Sequence, residues 1–101
     1  MTRLVVTGDA EADTNDILAY LAQEAGAGVA LEYGRRFRAT IERLLDLPQS
    51  GAPRPRLGSE TRIAIVAPYI LIYDYTRDAD TMTLLRILHG KRDITRKLLN
   101  R

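Results

Sequence analysis

Cysteine and tryptophan are absent from this 101-residue chain, and histidine occurs only once. Without cysteine there is neither a disulfide framework nor a thiolate metal site, and one histidine excludes a site built from several imidazoles. We therefore expect no metal. The longest nearly uncharged run, Ile63 to Tyr73, is far shorter than the roughly 20 residues of a membrane span. The N-terminus lacks the basic stretch and apolar core of a secretion signal, so the sequence predicts a soluble cytoplasmic protein.

The net charge of +2 hides a contrast between the two halves of the chain. Residues 1–50 contain five arginines and eight acidic residues, whereas residues 51–101 contain ten lysines or arginines and five acidic residues. A basic half of this kind is typical of a surface that meets an anionic partner, either nucleic acid or an acidic protein. A solvated surface that only keeps the protein soluble is the simpler alternative.

Hydrophobic periodicity in the first half predicts one strand followed by two helices. Arg3 to Thr7 form a short strand, and Asp9 is a candidate N-cap for the first helix. Apolar residues at three- and four-residue spacing predict a second helix from about Val29 to Asp46. The short break at Gly26 to Gly28 makes the two helices an antiparallel hairpin. Because this break does not join a strand to a helix, it is no phosphate-binding loop, and we expect no cofactor.

The second half predicts a stiff loop and then an antiparallel meander. Proline and glycine exclude helix and central strand between Leu47 and Glu60. Within this loop, Arg54 and Arg56 would point to the same side of an extended chain. Three β-branched and aromatic runs follow from Arg62 to His89, separated by turn residues. We expect the helical hairpin to cover the sheet face that carries Ile63, Ile65, Ile70 and Ile72.

A final short helix is predicted from Ile94 to Asn100, capped by Asp93, with Ile94 and Leu98 facing inward. The complete prediction is an α+β fold in the order β-α-α-β-β-β-α. It has a helical hairpin packed on a small antiparallel sheet, and it forms a single domain over residues 1–101.

Basic side chains are concentrated where the third strand of the meander ends. Loops that follow strands commonly carry functional side chains, so we expect a target-binding surface there. Four of its residues lie within seven positions, and two more come from the loop before the meander. A lone histidine at a strand end is more often a hydrogen-bonded structural group than a general base. The predicted target-binding residues are Arg54, Arg56, Arg86, His89, Lys91 and Arg92.

Four motifs occur in order along nearly the whole chain: Asp16-Ile17-x-x-Tyr20, Leu47-Pro-x-x-Gly51, Pro68-Tyr69-x-x-x-Tyr73 and Arg86-Ile-Leu-His89-Gly-Lys-Arg92-Asp93. Together they resemble the RelE/ParE superfamily, the toxin halves of bacterial type II toxin–antitoxin pairs. The resemblance implies a cognate antitoxin, ParD-like or similar, that forms a hetero-oligomer with the toxin. An extended or helical acidic segment of that antitoxin would lie in the groove between the helical hairpin and the sheet.

One branch of the superfamily, which resembles RelE, cuts messenger RNA in the ribosome. Its pattern places arginine after the tyrosine of the middle strand and a tyrosine near the C-terminus, where this chain has Ile70 and Leu98. Removing a positioned acid or base costs on the order of 10²–10⁴ in rate, so these two departures argue against RNA cleavage. As the alternative, a ribosome-dependent endoribonuclease would use Arg54, Arg56, His89 and Arg92.

The other branch, which resembles ParE, poisons DNA gyrase and needs no catalytic group. The ending from His89 to Asp93 is typical of that branch and is intact here. The resemblance therefore implies a growth-inhibiting toxin, more an inhibitor than an enzyme, with gyrase as its target. A third hypothesis is a module that binds nucleic acid directly through the basic half and loses affinity steeply with salt.

Overall fold

The computed structural model describes all 101 residues of the chain. Five strands, two α-helices and one short 3-10 helix are present. None of the helices combines the length and the apolarity that crossing a membrane requires. In chain order the elements are β1 (Arg3–Val6), α1 (Gly8–Ala25), α2 (Ala27–Asp46), β2 (Ala52–Pro53), β3 (Thr61–Val66), β4 (Tyr69–Thr76), β5 (Thr81–His89) and the 3-10 helix (Arg96–Leu99).

The α+β fold is confirmed, but the sheet is mixed rather than antiparallel. Its strand order is β1-β5-β4-β3-β2, and the α1–α2 hairpin packs on one face. The predicted meander is present as β3, β4 and β5. β1 pairs in parallel with β5, with Arg3 opposite Thr81 and Val6 opposite Leu84. The partner of β1 lies near the other end of the chain, and such a distant pairing leaves no local signal in the sequence.

A two-residue strand, β2, interrupts the segment that was predicted to be a stiff loop. Ala52 and Pro53 pair antiparallel with Ile63 and Arg62 at the outer edge of the sheet. The exclusion of a central strand by proline holds here. Proline has no backbone N–H to donate. Pro53 is tolerated because β2 is the edge strand of the sheet and has no second neighbouring strand that would need this donor.

The helical hairpin begins and turns differently from the prediction. Thr7, not Asp9, is the N-cap of α1, and its hydroxyl oxygen accepts a hydrogen bond from the Ala10 N–H at 3.1 Å. A single residue, Gly26, joins the two helices, so that α2 begins at Ala27 rather than at Val29. Gly26 has φ +98°, a conformation that residues with a Cβ rarely adopt. Glycine therefore permits a tighter connection than the predicted break from Gly26 to Gly28.

The two faces of the sheet carry separate apolar clusters. The cluster between the helices and the sheet contains eleven buried residues, three from the helices and eight from the sheet, the latter including Val66, Leu71 and Tyr73. The four isoleucines that were predicted to meet the helices belong instead to the opposite face, where Ile70 is half-buried and Ile65 largely exposed. Alternation along a strand defines the two sets of side chains but does not say which set the helices cover. The buried members of the second cluster are Leu57, Ile63, Ile72, Leu88 and Leu99.

The C-terminal tail (residues 93–101) covers this second cluster without forming the predicted α-helix. Only a 3-10 helix is present, its N-cap is Thr95 rather than Asp93, and no side chain caps it. Leu99 is buried, whereas Leu98 and Ile94 pack more loosely around it. The segment is too short for helical bonds to fix it alone, and contacts with the rest of the protein define its course.

Long-range hydrogen bonds hold the tail at Leu98, within its 3-10 helix, and at Arg101, just beyond it. The Arg86 guanidinium donates to the Leu98 carbonyl oxygen at 3.0 Å. The Arg101 guanidinium forms an ion pair with Asp74 and donates to the Leu57 carbonyl oxygen and the Thr61 hydroxyl at 2.9 and 2.8 Å. These bonds fasten the tail across the sheet.

Asp80 links the N-terminus to the β4–β5 turn. Its carboxylate accepts hydrogen bonds from the Tyr75 hydroxyl and from the Thr2 hydroxyl, each at 2.8 Å. The Tyr75 bond, followed by the Thr2 bond, lowers the pKa of Asp80 below its usual 3.8. A carboxylate with a lowered pKa stabilises the fold above its unfolded pKa, and this contribution is lost as the pH falls through the folded value.

We expect Asp80→Asn to flatten the loss of stability on acidification below about pH 4, because the amide does not titrate. Urea midpoints measured at a series of acidic pH values would show this. Asp78→Asn, in the same turn, is the matched control and should keep the wild-type slope. Parallel acid profiles for wild type and Asp80→Asn would contradict the prediction.

Candidate functional site

A β-bulge shapes the end of β5, where the basic residues lie. Ile72 pairs with Arg86, whereas its neighbour Tyr73 pairs with Leu84, so one residue of β5 is extra. A bulge of this kind re-aims the side chains that follow it. Beyond it, His89 lies opposite Tyr69 at the last pair of the ladder.

Arg86 is held inside the protein rather than presented to a target. Its Nε and Nη2 atoms donate to the two carboxylate oxygens of Asp13 in α1, at 2.7 and 2.9 Å. The two side chains are only 16% and 13% exposed. Hydrogen bonding to Asp13 raises the pKa of Arg86 above its already high usual value. Asp13 also accepts a bond from the Ile87 N–H at 3.0 Å, so it binds the strand as well as the guanidinium.

The basic turn (His89–Arg92) follows directly and is exposed. The Gly90 N–H donates to the Pro68 carbonyl oxygen at 2.8 Å, and the Arg92 N–H donates to the His89 carbonyl oxygen at 3.0 Å. The side chains of Lys91 and Arg92 form no ion pair. Two unneutralised cations therefore project from a backbone that is tied to the sheet.

The imidazole of His89 has a structural part in this turn. Its Nδ1 accepts a hydrogen bond from the Lys91 N–H at 3.1 Å, and its ring packs edge-on against Tyr69 with centroids 5.8 Å apart. In the neutral ring the proton is then on Nε2, so that exposed nitrogen donates rather than accepts. Burial, together with the nearby Tyr33, raises the pKa of Tyr69. Both side chains are therefore engaged in contacts within the protein.

Arg54 and Arg56 lie at the other end of the sheet. The Arg54 N–H donates to Thr61 O, and Arg54 O accepts from the Leu57 N–H, both at 2.9 Å. The segment is therefore a turn, and the extended course predicted for these two arginines is wrong. On β4, Thr61 lies opposite Asp74, whereas His89 lies opposite Tyr69. Asp74 and Tyr69 are five residues apart along this strand, a separation of about 17 Å. The structure thus does not bring the four residues of the RNA-cleaving alternative together.

Two adjoining apolar grooves run along the helical hairpin, and the first is the groove predicted between hairpin and sheet. It has a volume of about 380 Å³, and its apolar side chains come from both helices, β1 and β5. The second, about 480 Å³, lies between α1 and α2 and shares Leu18, Gly34 and Arg38 with the first. Arg35 and Arg38 are the charged side chains of the second groove.

Sequence reasoning missed the groove between the helices and the carboxylate of Asp13. Small residues at Ala22, Ala27, Ala30 and Gly34 are the available signal for the groove, since small side chains leave space between helices. An aspartate within the predicted first helix gave no comparable signal for its partner, because Arg86 lies 73 residues away.

Comparisons with known proteins agree with the fold described above. The family model described as ParE toxin of type II toxin-antitoxin system, parDE, matches residues 4–94. Toxin ParE1 of Caulobacter vibrioides is 31% identical over 80 residues, which are 79% of this chain and 80% of that protein. A solved structure described as the chromosomal ParDE TA system from P. aeruginosa has a similar fold, with a TM-score of 0.75 and 22% identity over 90% of this chain and 98% of that one.

These findings support the ParE-like branch that the ending from His89 to Asp93 predicts, and they give no support to the RelE-like alternative. The matched residues include α1, α2 and all five strands except the first residue of β1. The chain therefore belongs to the ParE toxin family of type II toxin–antitoxin systems.

Proposed function

We propose that this toxin inhibits growth by poisoning DNA gyrase and that a cognate antitoxin neutralises it. The observation that carries the proposal is the exposed basic turn in a chain of the ParE family. Lys91 and Arg92 have no internal partner to neutralise them. Unpaired cations on a fixed backbone attract an anionic partner and speed its association.

An inhibitory role needs a shaped surface rather than a catalytic group. At the turn, the Lys91 N–H occupies the Nδ1 of His89, and Tyr69 is buried. Arg54 and Arg56 form a second basic contact at the far end of the sheet. Arg86 acts indirectly, because its bonds to Asp13 and to the tail hold the strand from which the turn projects.

The antitoxin occupies the grooves along the helical hairpin in this proposal. An amphipathic acidic segment fits them, since the walls are apolar and Arg35 and Arg38 border the space between the helices. Several large apolar side chains of the hairpin are exposed in the free protein, among them Leu31 at 70%. A partner that covers them removes apolar surface from water and so gains affinity.

Gyrase supercoiling of plasmid DNA tests the proposal. The wild-type toxin should inhibit supercoiling, and the double variant Lys91→Glu/Arg92→Glu should need about tenfold more protein for the same inhibition, because two attractive charges become repulsive. The variant Arg77→Glu/Lys97→Glu makes the same change in net charge at exposed positions outside the basic turn, and it should inhibit like wild type.

The product of the neighbouring gene, added as the candidate antitoxin, should restore supercoiling. Unimpaired supercoiling in the presence of pure, folded toxin would contradict the gyrase assignment. Codon-aligned cuts in a reconstituted translation reaction would then identify the ribosome as the target.

A further inference from the structure

An arginine of α2 is stacked on an aromatic ring. The guanidinium carbon of Arg36 lies 5.0 Å from the ring centroid of Tyr33, three residues earlier on the same helix. Arg36 is exposed, forms no ion pair and lines neither groove of the helical hairpin. A cation above an aromatic face is attracted by the ring, so the stacking holds this long side chain in place. Arg36 is therefore an unneutralised cation with a restrained position.

Aromatic contacts connect Arg36 to the basic turn. The ring of Tyr33 packs edge-on against Tyr69, with centroids 5.7 Å apart. Tyr69 in turn packs edge-on against His89, the first residue of the basic turn, at 5.8 Å. Two ring contacts thus separate the base of the stacked arginine from the turn that carries Lys91.

The turn between β3 and β4 supplies a second connection. The Tyr33 hydroxyl donates to the Ala67 carbonyl oxygen at 3.3 Å. The next carbonyl oxygen, that of Pro68, accepts from the Gly90 N–H at 2.8 Å. The helix that carries the stacked arginine and the basic turn are therefore bonded to the same two residues. These parts form one continuous surface at this end of the sheet.

The composition of this surface favours a protein partner over DNA. Ala67 and Pro68 are both exposed and place an apolar turn between Arg36 and the basic turn. Protein interfaces are enriched in arginine and aromatic side chains and have an apolar centre, whereas DNA-binding surfaces are more polar and much more positively charged. An acidic protein surface with apolar neighbours would contact all three parts.

We propose that Arg36 is a further target-contact residue and that, together with the basic turn, it binds an acidic patch on the gyrase protein rather than the DNA that gyrase holds. The inference rests on the proposed function for the identity of the target. Lys91 and Arg92 contact the patch from the end of β5, and Arg36 contacts it from α2. Cations on two connected elements require carboxylates at a matching spacing, which adds specificity that the basic turn alone lacks.

Inhibition of gyrase supercoiling by three variants tests the contact. Arg36→Glu should need about tenfold more toxin than wild type for the same inhibition, because an attractive charge becomes repulsive. Arg36→Lys keeps the charge but replaces the planar guanidinium with a compact ammonium, so it should need about threefold more. Arg77→Glu, in the exposed turn at the opposite end of β4, should inhibit like wild type. The substituted side chains are exposed, so all three variants should keep the wild-type urea midpoint.

Binding measurements identify the partner. Wild-type toxin should bind immobilised gyrase in the absence of DNA, and Arg36→Glu should raise the dissociation constant about tenfold. Any affinity for a DNA duplex alone should fall equally for Arg36→Glu and Arg77→Glu, because the same loss of positive charge weakens non-specific binding in both.

Equal inhibition by Arg36→Glu and wild type would overturn the inference and leave the proposed function intact. A toxin that binds gyrase only when DNA is present would overturn the assignment to a protein patch. A larger loss of DNA affinity for Arg36→Glu than for Arg77→Glu would assign Arg36 to phosphate groups and would also overturn it. Failure of the wild-type toxin to inhibit gyrase would overturn the proposed function and the inference together.

Discussion

Asp13→Ala is expected to lower the free energy of unfolding by about 3–5 kcal/mol, the range found when one partner of a buried ion pair is removed. The carboxylate accepts three hydrogen bonds, two from Arg86 and one from the Ile87 N–H. Without it, the guanidinium remains largely buried with the Leu98 carbonyl as its one acceptor. Urea denaturation of wild type and variant measures the difference.

Glu32→Ala is the matched control for this prediction. Glu32 pairs with Arg35 three residues along α2, but these side chains are 55% and 73% exposed. Exposed pairs contribute about 0–1 kcal/mol, so the control should lie close to wild type. A loss for Asp13→Ala no larger than that of the control would mean that water replaces the missing carboxylate.

Tyr73→Phe is expected to lower the free energy of unfolding by about 2–3 kcal/mol, because it leaves buried polar groups without partners. The Tyr73 hydroxyl donates to the Pro48 carbonyl oxygen at 2.8 Å and accepts from the Gly51 N–H at 3.0 Å. The residue is fully buried in the cluster beneath the helices. One hydroxyl thus fixes the connection between α2 and β2.

The same hydroxyl gives this prediction a signature at alkaline pH. Burial is the main cause that raises the pKa of Tyr73 above 10.0. The native state therefore keeps the proton after the unfolded chain has lost it, and stability falls as the pH rises above about 10. Tyr73→Phe should make this decline shallower.

Tyr20→Phe is the control, since Tyr20 is 60% exposed. It should change neither the stability at neutral pH nor the alkaline slope. Equal stabilities for Tyr73→Phe and wild type would show that the hydroxyl bonds are replaced by water.

Hydrophobic periodicity and turn residues predicted the helices and strands whose formation depends on neighbouring residues in the sequence. The meander from Arg62 to His89 and the helix ending at Asp46 followed from periodicity and turn residues, and both are present. The predicted helix boundaries were wrong by a few residues where a single residue determines them, as with the Thr7 N-cap of α1 and the Gly26 connection between the helices.

Features that depend on distant pairing were not predictable in the same way. The sequence shows that Ile63 and Ile72 share a face, but the choice of face depends on where the helices and the tail pack. Likewise, the basic ending was recognisable in the sequence as a group of cations. In the structure, however, the Arg86 guanidinium is paired with Asp13 and largely buried, whereas Lys91 and Arg92 are exposed. Charge in a sequence does not reveal which cations are already paired.

The tail that covers the second cluster starts at the basic turn, so the order of the tail and the support of the turn depend on each other. If the tail frayed, Leu99 would leave the sheet and the strand surface around Ile72 and Leu88 would be uncovered. The support for the turn would loosen at the same time. Local unfolding of the tail would therefore expose apolar surface and loosen the basic turn in a single step.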